Sequence, residues 1–264
     1  MQITHLGIMK SQGHGLGNQM FLIASTIGIA IDNNADYGFP TWKNNQYFKN
    51  TLPFIAPGAG EIVKEKSWDY NPVKLPNKPF IFLDGYFQSY KYFENAEVKV
   101  RQAFVFKEQY VEEVNKILTQ TDSGTTCSIH VRRGDYLNYP NIHPQQSADY
   151  WFNAQTAIEM YNDINTYIVF SDDIAWCKAN AQMFKRTGKK VLFFQGRNQI
   201  DDFIGISRCH HNIITNSTFS WWAAWLNENI NKTVVMPKIW FGKEGPWSGP
   251  TEANDLQLKE WIRL

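Results

Sequence analysis

At 264 residues the chain exceeds one ordinary domain and suits two of about 130, since single cores stop growing at roughly 250 to 300 residues. A content of 43% hydrophobic and 19% charged residues is that of a soluble globular protein and excludes a disordered, collagen-like or disulfide-scaffold chain. The net charge of +1 provides no global field for nucleic acid or an anionic membrane, so any anion site must be local.

Cys127, Cys177 and Cys209 are too few and too dispersed for a disulfide framework or a C-x-x-C metal knuckle, which makes a reduced, cytoplasmic setting the expectation. The longest uncharged apolar run, Met20 to Ile31, has 12 residues, short of the ~20 needed to cross a bilayer. Asp32 follows it directly and no small-x-small cleavage site appears, so secretion through this segment is not expected. Aromatic residues make up 15% of the chain, with 10 Trp, a surplus that suits sugar stacking and a large aromatic core equally.

A glycine-rich turn at Gly13 to Gly17 leads into a predicted helix whose Met20, Phe21, Ala24, Ile27, Gly28 and Ile31 recur at helical spacing. Residues 40–79, with many Pro, Asn and Gly, read as loop-rich, and Pro79 to Phe87 as a strand ending near Asp84-Gly85-Tyr86. Val111, Val114, Ile117 and Leu118 mark a helix. Gln120 to Gly124 is the candidate linker, giving domains at 1–122 and 123–264.

Beyond it, strands are predicted at Thr125–Val131, Thr166–Phe170, Val191–Phe194, Asn212–Thr215 and Thr233–Met236. Between them lie a helix capped by Ser147 with Trp151, Ala154, Ala157, Ile158 and Tyr161 on one face, a helix through Trp176 and Met183 stopping at Gly188, and an aromatic helix from Phe219 to Leu226. Strands alternating with helices imply parallel βαβ units, which bind ligands beyond the carboxyl ends of their strands. No internal repeat is visible.

Three constellations carry chemistry. His130-Val131-Arg132-Arg133-Gly134-Asp135 falls at a strand end, where alternation puts His130 and Arg132 on one face and Arg133 on the other. A guanidinium there can grip a phosphate with two parallel charge-assisted bonds, while the plainer expectation is a structural Arg133–Asp135 ion pair. Thr215-Asn216-Ser217-Thr218-Phe219-Ser220-Trp221-Trp222 places a hydroxyl cluster at a helix start, whose unpaired N–H groups form an anion cradle. Ordinary N-capping needs only one of those hydroxyls, and Trp221, Trp222 and Trp225 read as core. Gly13-His14-Gly15-Leu16-Gly17-Asn18-Gln19 fails the dinucleotide fingerprint because Asn18 replaces the final glycine; what remains is a close-approach turn with Asn18 and Gln19 as amide donors. No Walker-type phosphate loop occurs.

No D-x-D signature is present. Asp172-Asp173 and Asp201-Asp202 are adjacent pairs, read as facing opposite ways on strands, and His210-His211 beside Cys209 lack zinc spacing. No metal is expected, and Arg132 would take over its task of holding a departing diphosphate.

Together these motifs resemble the α1,2-fucosyltransferase family and, more distantly, the α1,6- and protein O-fucosyltransferases. The H-x-R-R-x-D motif is matched by His130, Arg132, Arg133 and Asp135, and the glycine-Asn-Gln turn by Gly15 to Phe21. Further matches are Gly85-Tyr86-Phe87-Gln88-Ser89, Phe170-Ser171-Asp172-Asp173, and Asp202 through Cys209-His210-His211-Asn212-Ile213-Ile214 to Ser217-Thr218-Phe219-Ser220-Trp221-Trp222. They follow the family's order over nearly the whole chain.

The resemblance implies an α/β, GT-B type fold of two Rossmann-like domains facing a central cleft, an acceptor-side first domain and a second that holds GDP-fucose as donor substrate, with no cofactor. It implies that Arg132 binds the β-phosphate, that Ser217, Thr218, Phe219 and Ser220 line the diphosphate, that His130 and Asp202 recognise guanine and ribose, and that Asp172, Asn216, Gly17, Asn18 and Gln19 also surround the donor. Tyr86 and Gln88 would lie toward a galactoside-terminated glycan acceptor. The implied reaction is one inverting, metal-independent displacement at the anomeric carbon through an oxocarbenium-like transition state. Asp135, His14, water or another carboxylate remain open as general base; an acidic residue used by the protein α1,6-enzymes cannot be carried over, because Pro140 stands near that place. A non-catalytic glycan-binding protein, a different deoxyhexose donor and a protein acceptor stay open, as do the oligomeric state and attachment to a membrane through the glycan.

Overall fold

In a computed structural model, residues 1–10, 15–56, 58–119, 124–245, 251–252 and 254–264 are described. The glycine turn's Gly13 and His14, and 120–123 of the candidate linker, lie outside them. The chain forms two compact units, Met1–Lys107 and Glu108–Leu264.

The first unit runs β1 (Gln2–His5), α1 (Leu6–Lys10), α2 (Leu16–Asp32), β2 (Asp36–Tyr37), β3 (Glu61–Lys64), β4 (Phe80–Asp84) and α3 (Glu97–Ala103). All four strands are parallel, in the order β2-β1-β4-β3. The expected helix is α2, apolar almost all the way round and therefore sunk in the unit's core, with Met20, Phe21, Leu22, Ile23 and Ala24 fully buried. The loop-rich reading of 40–79 missed β3 and a 3₁₀ turn at Lys43–Tyr47. It also missed what the aromatics there do: Trp42 stacks on Phe48 at 5.4 Å, and Phe48 meets Phe104 at 5.5 Å. The predicted strand stops at Asp84, because Gly85 at φ +155° and Phe87 at φ +47° break the extended backbone.

The second unit opens with α4 (Glu108–Thr119), then β5 (Thr126–Val131), α5 (Ala148–Glu159), β6 (Thr166–Ser171), α6 (Ile174–Ala179), β7 (Lys190–Phe193) and α7 (Gln199–Arg208). It ends with β8 (His211–Ile213), α8 (Thr218–Leu226), β9 (Val234–Met236), β10 (Ile239–Phe241), β11 (Thr251–Glu252) and β12 (Ile262–Arg263). The units divide at Lys107/Glu108, ahead of the 122/123 boundary read from the sequence, because α4 packs on α7 and Glu113 pairs with Arg197. Six parallel strands run in the order β12-β9-β8-β5-β6-β7. Covered on both faces, the central β5 is buried at all six positions.

Ser147 caps α5 by accepting the Tyr150 N–H, as expected. Trp151, Ala154 and Ile158 face the core, but Tyr161 lies past the helix end and is exposed. The helix through Trp176 breaks at Asn180 into a 3₁₀ turn, Ala181–Phe184. Asp201 and Asp202 begin α7 and are not on a strand: Asn198 caps this helix through the Ile200 and Asp201 N–H groups. The Trp surplus goes to the core. Trp42, Trp68, Trp151, Trp221, Trp222, Trp225, Trp240 and Trp261 are all buried, and Trp176 lies beneath the Arg133 guanidinium.

Candidate active site

The second sheet grows outward in two directions, β5 to β6 to β7 one way and β8 to β9 to β12 the other. Its switch point is therefore the crevice beyond the carboxyl ends of β5 and β8, the usual ligand position in open parallel sheets. Arg132 follows β5, and Asn216 and Ser217 follow β8.

At the end of β5 the two arginines diverge as alternation predicts, but the ion pairing differs from the expected Arg133–Asp135 contact. Arg132 takes both carboxylates near it, with Nη2 2.6 Å from Asp135 and Nη1 2.9 Å from Asp172. Arg133 donates Nε to Asp173 at 3.1 Å and lies 3.8 Å over the Trp176 ring. Asp172 also accepts the Arg133 backbone N–H at 2.9 Å, and Gly134 makes room for it: a Cβ there would stand 2.4 Å from Asp172 Oδ2. Arg132 is held but remains about one-third exposed, while Arg133 is enclosed and occupied. Gln145, Gln146, Trp151, Trp176, Met183 and Thr215 line a cavity of about 220 Å³ beside the two arginines.

Tyr136 joins this strand end to the next. Its ring centroid is 5.3 Å from the Arg132 guanidinium, its hydroxyl donates to the Asn216 carbonyl at 3.0 Å, and His143 stacks on it at 4.1 Å. Burial pushes the phenol up to about 12, so it stays a donor across the physiological range. Asn216 is fixed in turn: its Oδ1 accepts from Gln146 and Thr215 and its Nδ2 donates to the Trp240 carbonyl. Ser217 stands at the N-cap of α8, but its own side chain makes no capping hydrogen bond. The Ser220 hydroxyl turns back to the Ser217 carbonyl at 3.3 Å. The start of α8 thus keeps the positive end of its dipole open to an anion.

His130 is 4% exposed, and its Nδ1 is buried without a partner among the described residues. Burial, with the Arg132 charge behind it, lowers its pKa to about 3, so the ring is neutral. It packs on Phe219 at 5.6 Å, and Phe219 meets Phe203 of α7 edge-on at 5.2 Å. Asp202, one residue before Phe203, accepts the Gly196 N–H, and burial lifts its pKa to about 6. Asp201 is buried against Arg197. The second unit therefore gathers Arg132, Asp135, Asp172, Asn216 and Ser217 around Tyr136, and packs His130 on the Phe203–Phe219 pair, with Asp202 on the same helix as Phe203.

In the first unit the switch point lies between β1 and β4. Here Gln88 is only 5% exposed and donates its amide to Asn18 Oδ1 at 3.0 Å, so it holds Asn18 and does not face outward. Gln19, expected to face a ligand beside Asn18, turns into the core, where its Oε1 accepts from Trp42 and Asn44. One residue along a helix rotates the side chain by about 100°, which separates the two amides. Tyr86 is 43% exposed. His14 lies outside the described residues.

Sequence reasoning missed Tyr136, Gln146, Trp176 and Phe203, although the aromatic residue directly after Asp135 was a usable signal. It also missed Glu65, which follows β3 in the segment read as loop. Among the described residues no group of three or more His, Cys, Asp or Glu side chains could hold a metal, and no helix is long and apolar enough to cross a membrane. His210 accepts the Thr126 N–H and His211 the Thr233 N–H, both structural duties.

A switch point furnished with a guanidinium about one-third exposed and a helix start whose N-cap side chain makes no capping bond is what a transferase of nucleotide-activated sugars needs to hold a diphosphate. Residues 61–264 match Glycosyl transferase family 11, and the chain belongs to that family. It is 30% identical over 244 residues to the O-antigen biosynthesis glycosyltransferase WbnK of Escherichia coli, covering 86% of this chain and 74% of that one. It is 31% identical to an alpha-1,2-colitosyltransferase of Escherichia coli (68% and 61% covered) and 27% identical to human galactoside alpha-(1,2)-fucosyltransferase 1 (80% and 62%). The chain thus spans about three-fifths of the length of these last two relatives. Among solved structures, Arabidopsis thaliana FUT1 in complex with GDP superposes with a TM-score of 0.58 at 12% identity, covering 89% of this chain and 70% of that one. NodZ alpha-1,6-fucosyltransferase soaked with GDP-fucose gives 0.55 at 12% identity (85% and 91%). At that identity the likeness establishes the mixed α/β, GT-B-like fold.

Proposed function

We propose that this glycosyltransferase moves fucose from GDP-fucose to the 2-hydroxyl of a terminal galactose on a glycan, with inversion and without a metal. The observation that carries the reading is the continuous path from Arg132 through Tyr136 to Asn216 and the open start of α8. It puts a fixed positive charge and the positive end of a helix dipole at one switch point, where a leaving diphosphate would gain charge.

The orphaned Nδ1 of His130 and the Asp202 carboxylate suit the nucleoside end. An ionised Asp202 would accept the N1–H and N2–H donors of guanine, and a uracil ring offers no matching pair. Asp172, which binds the Arg132 guanidinium and the Arg133 N–H together, sets the arginine's direction. Asp135 spends an oxygen on Arg132 at 2.6 Å and serves the same purpose, which argues against it as the proton acceptor. In the reaction the acceptor oxygen forms its bond to the anomeric carbon as the bond from that carbon to the GDP oxygen breaks. The electrons pass to the diphosphate under Arg132, and the acceptor proton leaves to a base.

Glycan binding without catalysis loses its tryptophan platforms, eight of which are buried, and keeps only the exposed Tyr86, Tyr139 and Tyr161 among the described residues. The colitosyltransferase relative favours one second reading, another GDP-activated deoxyhexose as donor. A cytoplasmic location fits three buried thiols, none in a disulfide.

Calorimetric titration with GDP, UDP and CMP in EDTA tests the proposal. Selective GDP binding that Arg132→Ala removes is the expected result. UDP binding equal to GDP binding, or full GDP affinity in a folded Arg132→Ala protein, would overturn it.

A further inference from the structure

After β4 the chain turns through Gly85-Tyr86-Phe87-Gln88 at the first unit's switch point, and Glu65, directly after the neighbouring β3, closes on that turn. Its two carboxylate oxygens divide the work: Oε2 accepts the Tyr86 N–H at 2.7 Å and Oε1 the Phe87 N–H at 2.9 Å. The turn needs such a hold, because Phe87 sits at φ +47°, where a side chain is strained. Gly85, at φ +155°, fits Glu65 closely, and a Cβ there would stand 2.4 Å from Glu65 Cβ and 2.7 Å from Oε2. Beyond the clamp, the Phe87 ring is pinned edge-on by His5 at 5.7 Å and Tyr92 at 5.2 Å, and Gln88 reaches Asn18. Tyr86, between the two bonded amides, is left exposed.

We infer that Glu65 is a positioning residue for the sugar acceptor: its carboxylate fixes the Gly85–Phe87 turn and so sets how Tyr86 meets a galactoside ring. This rests on the proposed function and on the placement of Tyr86 toward the acceptor that the family resemblance implies. Burial raises the Glu65 pKa to about 7 against the pull of its two backbone bonds, with no charged neighbour among the causes. The titratable groups around it are Lys64 and Lys66 on its own segment, Asp84 at the end of β4, the Tyr86 phenol in the turn, and His5 behind Phe87. A protonated Glu65 keeps one oxygen as an acceptor and loses the other to its own proton, so the clamp weakens as pH falls through about 7.

The test measures acceptor KM and kcat at saturating GDP-fucose across pH 6 to 8.5 for the wild type, Glu65→Gln and Tyr86→Ala, with GDP affinity as the check on folding. In the wild type the acceptor KM should rise at the acid end with kcat nearly constant. Glu65→Gln keeps one acceptor oxygen and should raise acceptor KM about tenfold, flatten its pH dependence and leave GDP affinity unchanged. If Tyr86→Ala raises KM while Glu65→Gln does not, Glu65 has no positioning role and the acceptor reading of the turn stands. If Tyr86→Ala changes nothing, that reading fails and the inference falls with it.

Discussion

The two units use the same device at their switch points, and they differ in what supports it. In each, a carboxylate following one strand reaches across to the backbone of the turn after its neighbour: Asp172 to the Arg133 N–H, Glu65 to the Tyr86 and Phe87 N–H groups. In each, a glycine in that turn leaves the space the carboxylate needs, Gly134 in one and Gly85 in the other. Asp172 also has the Arg132 guanidinium at 2.9 Å, whereas among the described residues Glu65 binds only backbone amides. The Asp172 clamp is tied to a permanent cation, whereas one made of dipoles alone can be switched by a proton. The proposed donor end is thus fixed and the proposed acceptor end adjustable.

Four substitutions and one titration would break or sharpen that contrast. Arg132→Ala should have the largest effect, a loss of about a hundredfold or more in kcat with GDP-fucose, because it removes the charge meant to meet the leaving group. Near-normal turnover by a folded variant would leave the donor clamp without a purpose. Gly85→Ala combines an unfavourable φ with a clash on Glu65, and should cost about 2 kcal/mol in a denaturant melt, along with weaker acceptor binding. Asp172→Asn keeps the size but drops the charge beside Arg132, and kcat/KM for the donor should fall about tenfold with acceptor KM unmoved. An acceptor effect of equal size would show that the two ends are not separable.

Titration of GDP against pH sharpens the contrast from the other side. Because burial holds Asp202 at about 6, GDP affinity should fall as pH drops below that value, approaching tenfold per unit, and level off above it. Absence of that fall in wild type would remove Asp202 from guanine recognition. Arg133→Ala should have the smallest effect, about 1 kcal/mol of stability from the lost Asp173 and Trp176 contacts, with GDP affinity retained.

The second unit was legible because each of its signals is local. The buried run at β5, the cap at Ser147 and the hydroxyl cluster before α8 each declare an element within a few residues. Strand alternation alone separated Arg132 from Arg133. It could not show which carboxylate each would take, since Asp172 and Asp173 arrive from the next strand. Asp201-Asp202 was misread because a helix starting on a cap at Asn198 and a strand both tolerate the pair. Glu65 was invisible for a stronger reason: its role is defined by two amides more than twenty positions away, and it follows a strand whose side chains are mostly exposed. Gln19 and Asn18 look alike in sequence and were separated only by which helix face meets Trp42.

Helix α8 carries the proposed diphosphate site on its first turn and a cluster of indoles along its length. Trp221 and Trp225 lie parallel at 6.3 Å, Trp222 meets both at about right angles, and Trp261 joins at 5.6 Å. Rings so close and so fixed should couple, with an exciton couplet in the far-ultraviolet circular dichroism as the expected signature. A ligand at the proposed diphosphate site that rotated the start of α8 would shift this array, and the coupling would report it.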